Sequence, residues 1–167
     1  MLEVRRGLSV RSYENTFFRE FAQNLSMLFE RYGLNGVLIG NSICTQSENL
    51  QIDGLLVTNN TVCIIDFKNF GGAITLPSHQ DFADSVWTNE SGDLIKGGSH
   101  INPYKQLTQQ KRAMIWVHHN STLKETIQEH GDLLNPSHAK RIVCFQHPIE
   151  LIRLNPSKRR VGFFHNR

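Results

Sequence analysis

The amino-acid sequence predicts an α/β (α+β) fold, because helix-like and strand-like patterns both occur along its 167 residues. Apolar residues recur at helical spacing from Ser12 to Tyr32. Two apolar runs flank an Asn-Asn pair between Ile52 and Asn69, a pattern typical of a β-hairpin. The pair Asn102-Pro103 then opens a second helical pattern. These observations predict a sheet with helices packed against it.

The remaining elements follow from local composition. Ser12 is suited to cap the first helix and Gly33 to end it. Before the first hairpin we expect a strand over 34–44, interrupted at Gly40-Asn41, and a polar loop over 45–49. After it we expect a short strand over 73–76 and a second hairpin with arms 84–89 and 93–96. The second helix should end near 119 and be followed by a short third helix over 122–130 and a late strand over 141–147.

Composition is that of one globular domain, with 39% apolar and 20% charged residues, so we expect a single domain over 1–167. No apolar run reaches the ~18 residues of a membrane span, and the N-terminus lacks a signal-peptide core. We therefore expect an intracellular, cytoplasmic protein. The net charge of +3 is compatible with a nucleic-acid partner. Cys44, Cys63 and Cys144 lack a CxxC spacing, which predicts buried, reduced thiols.

The hairpin carries the clearest chemical signal. If Asn59 and Asn60 form its loop, Asp53 lies directly opposite Asp66, and alternation puts Lys68 on the same face as Asp66. Carboxylates placed opposite each other repel, and Mg²⁺ or Mn²⁺ between them would remove that penalty. The alternative is that Asp53 is a turn residue at the end of a strand and that Asp66 and Lys68 belong to an exposed polar face. It is disfavoured because Asp66 follows a run typical of a strand buried on both faces, where charge needs compensation.

Two helices could complete such a site. With Tyr13 at zero, Glu14 falls at ~100° on a helical wheel, in the middle of an apolar face centred near ~90°. A carboxylate there needs a partner or a metal, although a first-turn charge favoured by the helix dipole is the alternative. On the second helix, Gln106 and Gln110 share the apolar side. Either could orient water, and for Gln110 we favour a hydrogen-bonded rim residue.

This ordered set of residues resembles the nuclease-related (NERD) domain of the PD-(D/E)XK nuclease superfamily. The resemblance spans about residues 12–118 and is carried by Glu14, the strand IDGLLV over 52–57, the strand end IDFKNFGG over 65–72, Trp87, and the N-P-x-x-Q helix start of Asn102, Pro103 and Gln106.

The resemblance implies a restriction-endonuclease-like core, with a mixed sheet of about four or five strands flanked by helices. It implies a divalent-metal-dependent nuclease that hydrolyses phosphodiester bonds, with DNA as the expected substrate. The expected ligands of Mg²⁺ (or Mn²⁺) are Asp53, Asp66, Glu14 and the backbone carbonyl of Phe67. Lys68 would orient or help deprotonate the attacking water, and Gln106 would position water or a phosphate.

Phosphate contacts are expected from basic residues. Lys105, Lys111 and Arg112 on the second helix and the basic run 158–160 are the candidates, although each basic residue taken singly is more often part of a solvated face. The resemblance further implies a fused or associated helicase-type domain. The last apolar group, 161–164, meets the C-terminus abruptly, which suggests a fragment of a longer protein.

Two other functions remain open. The first is a regulatory module that binds nucleic acid or a partner without cleavage, against which the complete set of acids and lysine argues. The second is a His-rich metal hydrolase, because the chain has eight histidines, but none forms an HExxH spacing. The sequence leaves open DNA against RNA, strand state, endonuclease against exonuclease, and oligomeric state.

Overall fold

The computed structural model describes residues 1–7, 12–44, 50–77, 81–120 and 135–152. The predicted loop over 45–49, the helix over 122–130 and the basic run over 158–160 lie outside the described residues. In chain order the described elements are β1 (Leu2–Arg6), α1 (Ser12–Arg31), β2 (Gly36–Cys44), β3 (Leu50–Thr58), β4 (Val62–Lys68), β5 (Gly72–Thr75), β6 (Thr88–Asn89), α2 (Pro103–Asn120), a 3₁₀ turn (Pro136–His138), β7 (Lys140–Phe145) and β8 (Ile149–Ile152).

The larger sheet has five strands in the order β1-β2-β3-β4-β7. It is mixed, because β1 runs parallel to β2 while β3 is antiparallel to both β2 and β4. This confirms the predicted α+β class and the mixed sheet of four or five strands, and it is consistent with a restriction-endonuclease-like core. Strand β1 was not predicted from the sequence.

The contacts within the chain define two compact units. The first contains Met1–Ile65 with Gln110–Lys140, and the second contains Asp66–Gln109 with the residues from Arg141 onward. The division falls inside β4, inside α2 and at the start of β7, so these three elements contribute residues to both units.

The core of the first unit is built on the apolar face of α1. Most of the predicted face is buried, with Phe17, Phe18, Phe21, Leu25 and Phe29 all below a tenth exposed, whereas Leu28 and Tyr32, which the helical wheel also assigns to it, are exposed. Strand β2 approaches this face so closely that a Cβ at Gly40 would overlap the Phe18 ring. A glycine is therefore required there by packing.

The β3–β4 hairpin has the predicted register. Its paired residues are Gly54 with Ile65, Leu55 with Ile64, Leu56 with Cys63, and Val57 with Val62. The loop is Asn59-Asn60 as predicted, and neither asparagine has a positive φ. Instead the Thr58 hydroxyl accepts hydrogen bonds from the backbone N–H groups of Asn60 and Thr61, at 3.2 and 3.1 Å. This side-chain turn fixes the hairpin without left-handed residues.

The second unit contains a three-stranded sheet, ordered β6-β5-β8, which was not predicted. Strand β5 pairs antiparallel with β6 and parallel with β8. The predicted second hairpin is present but short: Thr88 of β6 bridges Leu94, and the backbone N–H groups of Asn89 and Ile95 donate to the carbonyls of Asp93 and Trp87 at 3.1 and 2.8 Å. Trp87 is fully buried beside it.

Helix α2 begins where the sequence predicts. The Oδ1 atom of Asn102 accepts a hydrogen bond from the Lys105 backbone N–H at 2.8 Å, which is an N-cap interaction. Its Nδ2 atom lies within hydrogen-bond distance of three backbone carbonyls of the preceding loop, those of Phe82, Ala83 and Ser85. One fully buried side chain therefore starts the helix and fixes the segment before it.

Cys63 and Cys144 are buried and reduced, as predicted. Burial raises the pKa of the Cys63 thiol, and it raises the pKa of Cys144 to about 12. Both side chains are therefore protonated at neutral pH and poor nucleophiles. The side chain of Cys44 lies outside the described residues.

Candidate active site

The end of β4 carries a buried ion pair. Residues Val62 to Phe67 are all buried, as the apolar run predicts. Asp66, within this run, is 1% exposed. Alternation turns Asp66 and Lys68 to the same face, and Lys68 Nζ lies 2.8 Å from Asp66 Oδ1. The structure thus brings these two predicted site residues together.

The surroundings make this pair unusual. The side chains of Asp66 and Lys68 are 0% and 11% exposed. The two other described ion pairs, Arg5 with Glu3 and Lys105 with Asp84, are each more than half exposed on both partners. A charged pair in a dry site strengthens local electrostatics and is costly to desolvate. Among these ion pairs, the Asp66–Lys68 pair is therefore the strongest candidate for an active site.

Phe67, between the two charged residues, is a candidate through its backbone only. Its side chain is 8% exposed and, by alternation, lies on the face opposite to Asp66 and Lys68. The phenyl ring therefore packs in the core, and the backbone carbonyl is the ligand expected from the sequence.

Asp53 lies in β3, in the first unit, and is half-buried. In the β2–β3 ladder, Gly40 pairs with Gly54 and Ser42 with Ile52, so Asn41 and Asp53 occupy the gap between these pairs. Asn41 has a φ of 48°, and among the described residues it is the only non-glycine with positive φ. Strained backbone of this kind clusters at functional sites, and the sequence signalled it only as an interruption at Gly40-Asn41.

Glu14 belongs to the first turn of α1, but its side chain lies outside the described residues. Within the described part of the chain, no three His, Cys, Asp or Glu side chains form a group that could hold a metal ion. The described histidines, which the alternative of a His-rich metal hydrolase would need as ligands, therefore form no such group. The carboxylates of Asp53 and Asp66 and the Phe67 carbonyl are nonetheless the oxygen donors that Mg²⁺ and Mn²⁺ prefer.

The two glutamines of α2 have distinct environments. Gln106, in the second unit, packs on Gly97 and Gly98, and its buried Oε1 accepts no hydrogen bond from the described residues. Gln110, in the first unit, donates from Nε2 to the Gln51 carbonyl at 2.6 Å. Gln110 is hydrogen-bonded as predicted, but it is 7% exposed, so the expectation of a rim position is wrong. Its bond reaches β3 two residues before Asp53.

The predicted phosphate contacts are partly engaged elsewhere. Lys105 Nζ lies 2.8 Å from Asp84 Oδ1, with both side chains exposed. Lys111 donates from Nζ to the Ala139 carbonyl at 3.1 Å. Arg112 is exposed. The guanidinium of Arg141 contacts Thr108 and Tyr104 of α2, and the sequence carries no signal for this residue, because one arginine before an apolar strand is not distinctive.

Neither described helix combines the length and apolar character that a membrane crossing requires.

Comparison with known proteins gives one match. The family model described as the nuclease-related domain (NERD) matches residues 13–145, which is most of the chain. Searches of curated proteins and of solved structures found no match. The matched range contains the hairpin, the buried Asp66–Lys68 pair and α2. The chain therefore belongs to the nuclease-related domain family, within the PD-(D/E)XK-like nuclease superfamily.

Proposed function

We propose that this domain is a divalent-metal-dependent nuclease that hydrolyses phosphodiester bonds of nucleic acid, with DNA as the substrate class. The observation that carries the proposal is the Asp66–Lys68 pair, 2.8 Å apart and almost inaccessible at the end of a buried strand. Family membership indicates a nuclease-related function, and this pair supplies the acid and the lysine of the D-x-K signature.

Four groups would hold Mg²⁺ (or Mn²⁺): the carboxylates of Asp53, Asp66 and Glu14 and the backbone carbonyl of Phe67. The bound ion would lower the pKa of a coordinated water and stabilise negative charge on the phosphoryl oxygens. Two observations support the inclusion of Asp53. The first is the pairing of Gly54 with Ile65, which has the hairpin register from which Asp53 was predicted to be a site residue. The second is Asn41, which has strained backbone and is the neighbour of Asp53 in the β2–β3 ladder.

Lys68 would contribute hydrogen-bond donors to the reaction. Its ammonium has three N–H donors, of which one reaches Asp66 Oδ1. Another can donate to the attacking water or to a phosphoryl oxygen, where negative charge develops. In the proposed reaction the water oxygen bonds to phosphorus and the 3′ oxygen leaves and takes a proton, giving a 5′-phosphate and a 3′-hydroxyl.

Gln106 is proposed to position the attacking water or a phosphate. Its Oε1 is buried and accepts no hydrogen bond from the described residues, so the O–H group of a bound water would satisfy it. An amide oxygen held by packing on Gly97 can fix the direction of such a water.

The test is cleavage of supercoiled and single-stranded DNA with Mg²⁺ or Mn²⁺. The variants are Asp66→Asn and Lys68→Gln, which keep side-chain size in a buried site, with the exposed Glu150→Gln and Lys96→Gln as charge-matched controls. We expect the wild type and both controls to cut, and the two site variants to lose at least about a hundredfold in rate. Cleavage that survives in Asp66→Asn and Lys68→Gln would contradict the proposed site.

A second candidate function is a non-cleaving module that binds nucleic acid or a partner, for example a helicase-type domain. It is favoured by the direct contact between Lys68 Nζ and Asp66 Oδ1, because the lysine already compensates the buried carboxylate charge. Calorimetric titration with Mg²⁺ and Mn²⁺ separates the two. Metal binding that Asp66→Asn abolishes, without cleavage of DNA or RNA by the wild type, would favour this second function.

A further inference from the structure

Arg141, in the second unit, contacts two side chains of α2. Its Nη1 atom donates to the Thr108 hydroxyl at 2.6 Å, and Nη2 lies 3.5 Å from the Tyr104 hydroxyl. The guanidinium carbon is 4.6 Å from the centre of the Tyr104 ring, which is cation–π distance. Tyr104 and Thr108 are one helical turn apart, so they share a face of α2.

Tyr104 and Thr108, the two residues that Arg141 contacts, are themselves held by further interactions. The Thr108 hydroxyl donates to the Tyr104 carbonyl at 2.7 Å. The Tyr104 ring meets Phe82 edge-on at 5.2 Å, and Phe82 lies 4.9 Å from the buried Trp87. The guanidinium is therefore held in one orientation by packed aromatic groups, so little side-chain entropy remains to be lost when it binds a ligand.

The charge of Arg141 is not compensated within the described part of the chain. Lys68, Lys105 and Arg5 each form an ion pair with a carboxylate there, whereas the described contacts of Arg141 are two hydroxyls and one ring. The residue is half-buried, so solvent screens its charge only partly. A guanidinium has five N–H donors in a planar fork, and this arrangement leaves donors for an anion.

We propose that Arg141 is a contact site for a backbone phosphate of the nucleic-acid substrate. The inference rests on the proposed function and adds a binding residue outside the D-x-K site. A guanidinium fork matches phosphate in bidentate geometry, which a lysine cannot do. Arg141 has no carboxylate partner among the described residues, whereas Lys105 is paired with Asp84.

A purely structural role predicts a different result. If Arg141 only tied β7 to α2, its removal would lower the stability of the fold and leave the salt dependence of DNA binding unchanged. A phosphate contact contributes to that salt dependence, because each neutralised phosphate of duplex DNA adds about 0.9 to the slope of log K against log salt concentration.

The experiment measures binding of a fluorescently labelled DNA duplex by anisotropy, in EDTA to prevent cleavage, across a series of salt concentrations. We expect Arg141→Gln to reduce the slope by about 0.9. The control Lys96→Gln removes the same charge from an exposed site in the same unit and should leave the slope unchanged. A slope in Arg141→Gln equal to that of wild type, or a drop shared by Lys96→Gln, overturns the inference.

Arg141→Lys keeps the proposal testable if the glutamine variant does not fold. It preserves the charge and loses the bidentate fork, so we expect weaker binding with an unchanged slope. Unchanged affinity in Arg141→Lys would overturn the inference. Failure of the proposed function can be told apart from failure of the Arg141 inference. A wild type that neither binds nor cuts nucleic acid contradicts both proposals. A wild type that cuts, while Arg141→Gln leaves the salt slope unchanged, contradicts the Arg141 inference alone.

Discussion

Asp66 and Lys68 are better explained by chemistry than by stability. Moving both charges out of water costs several kcal/mol per ion, which their attraction in the interior offsets only in part. A well-packed apolar pair would stabilise the end of β4 as well or better. Ionisable groups buried in this way are candidates for a functional site, and the D-x-K spacing supports the role proposed for this pair.

Removing one partner should be worse than neutralising both. We expect Lys68→Met to lower the free energy of unfolding by about 3–5 kcal/mol, because it leaves the Asp66 carboxylate buried without its ammonium. The double variant Asp66→Asn/Lys68→Met should lose clearly less. Urea unfolding measures both. The control is Lys105→Met in the exposed pair with Asp84, where we expect about 1 kcal/mol or less. A double variant less stable than Lys68→Met would contradict this account.

The Cys144 thiol should make stability fall in alkali. Burial raises its pKa from 9.0 to about 12, so between these values the unfolded chain loses the thiol proton while the folded chain keeps it. The stabilising contribution is complete below pH 9 and is lost as pH rises toward 12. We expect a slope of about −1.4 kcal/mol per pH unit from this group within the window.

The check is urea unfolding of wild type and Cys144→Ala from pH 8 to 11. The alanine variant should have a shallower decline with pH, whatever its absolute stability. Parallel curves for the two proteins would contradict the assigned role of Cys144. Site-resolved alkylation at pH 8 adds a second test, since the buried thiol should react only after unfolding.

The sequence predicts some site residues well because their relation is local. Alternation along one strand puts Asp66 and Lys68 on one face, and the apolar run before them predicts their burial. The partners of Lys105, Lys111 and Gln110 could not be predicted in this way. They lie 21, 28 and 59 residues away in sequence, and only the tertiary fold brings them close.

At the scale of elements, Asn102 joins α2 to the loop that precedes it. Asn102→Ala removes the helix cap, which costs about 1 kcal/mol, and leaves carbonyls of the preceding loop without their donor, at about 1–3 kcal/mol more. We therefore expect a total loss of about 2–4 kcal/mol by chemical denaturation.

Asn135→Ala is the matched control, because Asn135 caps only the 3₁₀ turn through the Ser137 backbone N–H at 2.9 Å. We expect about 1 kcal/mol there. Equal losses in the two variants would mean that the contacts of Asn102 with the loop carbonyls contribute nothing.

The long elements were predictable and the short ones were not. Helices α1 and α2 and the β3–β4 hairpin have caps, turn residues and long apolar patterns of their own. Strand β1 has five residues, four of them exposed, and β8 alternates over only four. Each is a strand because a neighbouring strand offers it hydrogen bonds, and this is a property of the neighbour rather than of the segment.

At the scale of the whole molecule, metal binding should raise thermal stability. A ligand that binds only the folded state stabilises it by about 1.4 kcal/mol at ten times its dissociation constant. We expect Mg²⁺ or Mn²⁺ to raise the melting temperature of the wild type and of Glu150→Gln, and chelation with EDTA to reverse the rise. Asp66→Asn should show no such rise. An equal rise in Asp66→Asn would contradict the proposed ligand set, independently of any nuclease assay.

The position of β7 in the sheet sets the order in which the chain can assemble during its synthesis. Strand β4 leaves the ribosome well before β7, yet the two are neighbours in the sheet. The backbone N–H of Gln146, just after β7, donates to the carbonyl of Lys68, the last residue of β4, at 2.9 Å. Until β7 emerges, β4 is an edge strand of this sheet. Pairing between segments so distant in sequence forms late because of its loop-closure cost. A nascent chain therefore carries the charged pair long before the neighbouring strand of its sheet is available, so this part of the sheet can be completed only after residue 145 has left the ribosome.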